Sequence, residues 1–187
     1  MASDCDLMIR VSAGDMRAFD LLVQRHRARL EAFIYRLCSD REQAADCTQE
    51  AFVRLWLARE GYRPRTKFTT YLYTIALNCH IDHTRRQRAR PHPVPLEQQL
   101  GPGARAVLRQ MVSHSETPET VLLRRYETYR IRRAILQLPE AHRLVFVLAH
   151  FEELPYAEIA EILGIPLGTV KSRMHYALAH LRKLLCS

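Results

Sequence analysis

The sequence predicts an all-α protein made of two small helical domains joined by a flexible linker. Three observations carry this expectation. Apolar residues recur at steps of three and four through most of the chain, and no stretch alternates for long enough to build a sheet. Five of the nine prolines (Pro91, Pro93, Pro95, Pro102 and Pro118) fall where that pattern stops. A structureless stretch this long would be unusual inside one compact domain, so it reads as a boundary. Finally, Tyr156 to Leu185 reads as two short helices around a tight turn, the second of them basic. The expected divisions are a first domain over 1–90, a linker over 91–118 with room for a helical turn around 107–112, and a second domain over 119–187.

Composition narrows the function classes. Apolar residues make up 48 % of the 187, enough for a core and too many for a disordered tail. The formal net charge of +8 favours an acidic partner, nucleic acid foremost, over a merely solvated basic surface. Five scattered cysteines with no C-x-x-C pair argue against a disulfide framework or zinc site and for a reducing cytoplasm. The opening MASDCDLMIR places acids where a secretory signal would be basic. No run approaches the roughly 18 apolar residues of a membrane span, so no direct membrane insertion is expected.

In chain order, Asp4 to Ala13 reads as a short helix closed at Gly14. Asp15 can cap the next helix, whose stripe is Phe19, Leu22, Val23, His26, Leu30, Phe33, Ile34 and Leu37. Ser39 or Asp40 can start a third, running to about Arg59, with Ala44, Ala45, Phe52, Leu55 and Trp56 apolar. Along it Asp46, Gln49, Glu50 and Arg54 share a polar face, which is either solvated or a partner surface. Gly61 and Pro64 break the chain, and Phe68 to Arg90 resumes a helical pattern with Leu72, Ile75, Ala76 and Cys79 on one side. Arg63, Arg65, Lys67, Arg85, Arg86, Arg88 and Arg90 stand against a single acid, Asp82, and Tyr62, Tyr71 and Tyr73 are placed beside them. Rings stack on bases and cations follow phosphates, which favours single-stranded nucleic acid. The alternative is core-edge tyrosines with arginines that merely suit a helix C-terminus.

Beyond the linker, Glu119 to about Gln137 is helical in pattern, with Val121, Leu122, Ile131 and Ile135 apolar, and Leu138-Pro139-Glu140 breaks it. Arg143 to Phe151, RLVFVLAHF, has strand propensity, but its helical neighbours and the LPE start favour a buried helix. In the closing stretch Ala160, Gly164 and Val170 fall at helix-turn-helix offsets: a small residue for close crossing, a glycine for the turn, a β-branched residue for packing. Its first helix carries Glu158 and Glu161. The second, from Pro166 or Leu167, carries Lys171, Arg173, Arg182 and Lys183 and no acid, as suits a helix approaching a polyanion. Thr169, Lys171, Ser172, Arg173, His175 and Tyr176 lie in the half that reaches the major groove in this motif, where arginine and lysine donate to guanine O6 and N7. Two ordinary packed helices are the alternative. No H-E-x-x-H, Cys/His cluster, G-x-S-x-G, Walker loop or G-x-G-x-x-G occurs. No catalytic residue, metal site or cofactor is therefore expected.

Five stretches together resemble the extracytoplasmic-function (group IV) sigma factors of the sigma-70 family. They are AGDMRAFDLLVQRH, DCTQEAFVRLW, FTTYLYTIALNCHIDHTRRQR, LPEAHRLVFVLAHFEELPYAEIAEILGIPLGTVKSR and LAHLRKLL. The resemblance implies a non-enzymatic factor that binds core RNA polymerase and directs promoter-specific initiation. The first domain would be sigma region 2, with Asp46, Gln49, Glu50, Phe52 and Trp56 matching the helix that docks on the β′ clamp helices. Phe68 to Arg90 matches the segment that melts and reads the −10 element. There Phe68 and Tyr71 would stand at the start of the melting helix and Tyr62 would border a pocket for a flipped base. Asn78 would read a base, and Arg85, Arg86 and Arg88 would hold phosphates. The second domain would be region 4, contacting the β flap and reading the −35 element with the six recognition-helix residues. With no sensing domain after the closing helix, control is expected from an anti-sigma factor, often membrane-anchored. Two departures stand out. Tyr71-Leu72 replaces the Trp-Leu of many members, and Tyr176 stands where many have arginine. Two rival readings remain at this level: a conventional helix-turn-helix regulator with no sigma role, and a nucleic-acid enzyme.

Overall fold

The structure, a computed structural model, describes residues 2–64, 66–89 and 118–186; for 88–89 and 118–126 it describes the backbone alone. Among the described residues all regular structure is helical. Eight α-helices follow in order: α1 (Asp4–Ser12), α2 (Met16–Cys38), α3 (Arg41–Leu57), α4 (Phe68–Ala89), α5 (Pro118–Gln137), α6 (Glu140–His150), α7 (Tyr156–Leu163) and α8 (Leu167–Leu185), with a 3-10 turn over Arg59–Gly61 after α3. Residues 91–117 of the expected linker, including its helical turn, lie outside the described residues, and α5 begins at Pro118.

The helix ends follow local chemistry. Ser3 and Asp6 form a reciprocal capping box that starts α1, and Gly14 takes φ 90 after it. Asp15 accepts the Ala18 amide at 3.1 Å to start α2. Of the two candidate starts for α3, Asp40 is the cap, accepting from the Gln43 amide, while Ser39 ends α2 in the left-handed region at φ 62.

α1 to α4 close around one core. The expected stripe on α2 supplies Leu22, Leu30, Phe33, Ile34 and Leu37, buried against Leu7, Met8, Val11, Leu55 and Leu72. Phe33 meets Tyr73 edge-on at 5.0 Å, and Phe19 packs on Trp56 at 5.1 Å. Arg54 ties α3 to α4, donating to Glu50 on its own helix and to Asp82 at 2.9 Å.

The second unit is organised around α6, whose Leu144 to Leu148 are all buried. A helix apolar on every side belongs in the interior, which resolves the RLVFVLAHF run as helix. α7 and α8 pack on it and α5 packs on α8; α5 contributes Ala134, Ile135 and, just beyond its end, Leu138 to the core. Ile131, expected on the apolar face of α5, is instead exposed, and Ala134 takes its place in the core. The two units also touch: α6 and α5 lie against α2, and α7 against α4.

Candidate nucleic-acid interface

The helix-turn-helix is built from backbone constraints upward. Gly164 closes α7 at φ 62, a left-handed conformation in which glycine avoids a Cβ penalty. The Gly164 amide donates to Glu161 O at 3.3 Å and the Ile165 amide to Ala160 O at 3.1 Å, so the last carbonyls of α7 are satisfied. Pro166 then leads into α8, whose first turn is fixed by Thr169 and Val170 amides donating to the Pro166 carbonyl. Val170, Ala177 and Leu181, spaced by seven and four, are the buried face of α8.

The opposite face is open. Lys171, Ser172, His175 and Tyr176 are exposed, and Thr169 and Arg173 are half-buried at its edge. Ser172 Oγ donates to Thr169 O at 3.0 Å, a bond within the helix that leaves its acceptor side free. Tyr176 is 60 % exposed, yet its ring is positioned: it stacks near-parallel on His142 of α6 (6.0 Å, 22°) and meets His175 edge-on at 5.8 Å. His142 was absent from the sequence-derived set. Only the fold brings α6 beside the recognition helix, so no local signal marks it.

α4 carries a second candidate surface. Asn78, Arg85 and Arg86 are exposed; the Arg88 side chain lies outside the described residues. The aromatics behave differently from expectation. Tyr62 and Phe68, expected at the −10 site, are 6 % and 2 % exposed and belong to the core. Tyr62 packs on Tyr71 at 5.3 Å, and Phe68 lies 5.2 Å from His26. Burial pushes the Tyr62 phenol up to about 12, with Cys5 adjoining, and pushes Tyr71 up as well. Tyr71 keeps part of its ring accessible.

A third surface is on α3. Asp46, Gln49, Glu50 and Val53 line a shallow open depression. Phe52, expected to make contact there, is buried behind it, and Trp56 is half-buried under the Arg59 guanidinium at 4.4 Å. Val53 and Leu57, which the sequence reading passed over, are large exposed apolar side chains on this helix. The available signal was spacing: Val53 stands four and three residues after Gln49 and Glu50, and Leu57 four after Val53. Cys47 and Cys79 sit beneath, their thiols pushed up to about 12 and about 11 by burial. Among the described residues no group of three His, Cys, Asp or Glu could hold a metal ion, and no helix is long and apolar enough to cross a membrane.

A helix-turn-helix unit coupled to a helical unit with a basic helix end and an acidic-apolar face on α3 fits the class of DNA-binding regulatory proteins. Comparison with known proteins makes it particular. Residues 22–90 match the family model for sigma-70 region 2, and residues 128–181 match that for sigma-70 region 4. The chain is 34 % identical to the ECF RNA polymerase sigma factor SigW of Bacillus subtilis over 94 % of its own length and 93 % of that protein's. It is 34 % identical to the RNA polymerase sigma-H factor of Pseudomonas aeruginosa (93 % and 89 %) and 31 % to the ECF RNA polymerase sigma-E factor of Escherichia coli (94 % and 90 %). In fold it is similar to CnrH solved with the cytosolic domain of CnrY (TM-score 0.69, 24 % identity, 96 % and 94 % covered). It is likewise similar to the sigma factor RpoE solved with the anti-sigma factor NepR from Bartonella quintana (TM-score 0.66, 18 % identity, 91 % and 98 % covered). The chain belongs to the extracytoplasmic-function sigma factors of the sigma-70 family.

Proposed function

We propose that this sigma factor selects promoters with two separate surfaces while a third holds core RNA polymerase. The observation that carries the reading is α8, a helix without acids that offers Lys171, Ser172, His175 and Tyr176 on one open face and anchors the other through Val170, Ala177 and Leu181. Thr169, Lys171, Ser172, Arg173, His175 and Tyr176 read the −35 element, with side-chain donors to base edges and phosphates. Asn78 reads an extruded base of the −10 element, Arg85, Arg86 and Arg88 hold its phosphates, and Tyr71 stacks. Tyr62 and Phe68 serve as the wall behind that site. Asp46, Gln49 and Glu50, with Val53 and Leu57, dock on the β′ clamp helices, Phe52 and Trp56 backing them, and the second unit meets the β flap.

The factor works in the cytoplasm under an anti-sigma factor, a reading supported by the kinship to proteins solved with such partners. Sequencing transcript 5′ ends after overexpression tests the proposal. New starts sharing one −10 and one −35 motif at fixed spacing are the expected outcome. New starts lacking both motifs, or palindromic half-sites of the kind a dimeric regulator binds, would overturn it.

A further inference from the structure

The open face of α8 changes chemistry part-way along. Lys171 and Arg173 supply cationic donors, and a phenol follows at Tyr176. An arginine fork can bridge guanine O6 and N7 with paired donors, whereas a phenol holds a single O–H. Tyr176 therefore cannot make the bidentate guanine contact. What it brings instead is a flat apolar ring, 60 % exposed.

The direction of that ring is set by its neighbours. A long side chain on a helix has more than one χ1 well open to it, and an exposed tyrosine standing alone samples them. Here His142 lies against the ring, with centroids 6.0 Å apart and planes within 22°, inside the range of offset aromatic stacks. His175 meets the same ring edge-on at 5.8 Å. The backbones beneath these rings are fixed. His142 stands in the first turn of α6, where its amide and that of Arg143 both donate to the Pro139 carbonyl at 2.9 Å. The buried run from Leu144 to Leu148 follows directly. On α8, Ala177 is next to Tyr176 and is fully buried, as is Val170. His142 itself is half-buried and backs Tyr176 from the side of α6.

In the major groove thymine is marked by its C5-methyl, which apolar groups read by contact. A ring ordered in advance gives up little freedom when it meets that methyl. Resting on the promoter reading above, we infer that His142 is a positioning residue that holds the Tyr176 ring against the methyl of a thymine in the −35 element. This position then selects a methyl-bearing pyrimidine rather than a guanine. His142 touches no base; it acts by keeping Tyr176 in one orientation. Lys171 and Arg173 keep the donor role at the remaining positions.

Fluorescence anisotropy of the holoenzyme, formed from core polymerase and the full chain, on labelled promoter duplexes tests this. Each thymine of the −35 element is replaced in turn by deoxyuridine, which deletes only the methyl. At one thymine the replacement should weaken binding about fourfold, the worth of one buried methyl. His142→Ala should cost a similar factor on the thymine promoter and nothing on the deoxyuridine promoter, because only the methyl contact needs the ordered ring. His142→Phe, which keeps a ring plane, should restore the discrimination. Tyr176→Phe should retain it and Tyr176→Ala should abolish it. His142→Gln carries the same comparison if His142→Ala fails to fold by circular dichroism. The inference is overturned if no thymine responds to loss of its methyl, or if removing the His142 ring costs as much on deoxyuridine as on thymine. It is equally overturned if His142→Phe restores nothing, or if Tyr176→Phe loses the discrimination. A wild-type holoenzyme that binds equally well when the whole −35 element is scrambled would instead overturn the promoter reading on which the inference rests.

Discussion

Arg173 and Tyr176 show how differently residues of one helix face are constrained. Arg173 is half-buried at the margin of the open face of α8, whereas the Tyr176 ring is stacked on His142 and offers its other side outward. If Arg173 donates to a base, Arg173→Ala should weaken −35-dependent initiation by roughly 1–3 kcal/mol. Run-off assays on matched and scrambled −35 promoters check this, and an equal loss on both would make it a phosphate contact. His80 makes a second prediction. It is buried on α4 with Nδ1 unpartnered, and burial lowers its pKa below the ordinary 6.5; Arg143 of α6 and His83 of α4 lower it further and Glu140 of α6 opposes them. The unfolded chain therefore binds the proton first. Stability from neutral His80 is whole above about 6.5 and is lost as pH falls from there through the lower folded value. Urea midpoints of wild type and His80→Gln should converge between about pH 7.5 and about pH 5.5. Parallel pH profiles would refute this assignment.

At the scale of elements, the proposed activities fall on separate helices. Gly164 sets the angle between α7 and α8, and a Cβ there would meet open space, so the cost of Gly164→Ala comes from φ 62 alone. A loss of about 1 kcal/mol in thermal or urea unfolding is expected, with Gly164→Asn losing less because asparagine tolerates this region. On α3, replacing Gln49 and Glu50 with alanine should weaken core polymerase binding while the helical circular dichroism signal persists, since Arg54 keeps Asp82 as a partner. Unchanged affinity would return this face to a merely solvated one. These elements were readable in advance because their signals are local. Asp15 and Asp40 cap, Gly14 and Gly164 close, and the α2 stripe and the Asp46, Gln49, Glu50 face follow from helical steps. Aromatic residues near a basic run were less legible. Tyr62, Phe68 and Phe52 share the composition of a base-stacking or docking site, but their burial depends on what α1, α2 and α4 place against them.

The whole molecule holds what no local pattern could reveal. Glu152-Glu153 between Phe151 and Leu154 reads as a polar loop, yet Glu152 is paired with arginines on α2 more than a hundred positions earlier. Likewise Glu158, an acid on the first helix of the helix-turn-helix, pairs with Lys67 of the other unit. Periodicity identifies faces; it does not identify which face meets which, and charge pairing across the two units decides that here. The measurement that bears most directly on the proposed function is run-off transcription by purified core polymerase, with and without this chain, on promoters carrying both elements, either one, or neither. The account expects a defined start site only when chain and polymerase are both present, strongest with both elements and falling when either is scrambled. Tight promoter binding by the chain alone, with polymerase never starting at a defined site, would contradict it.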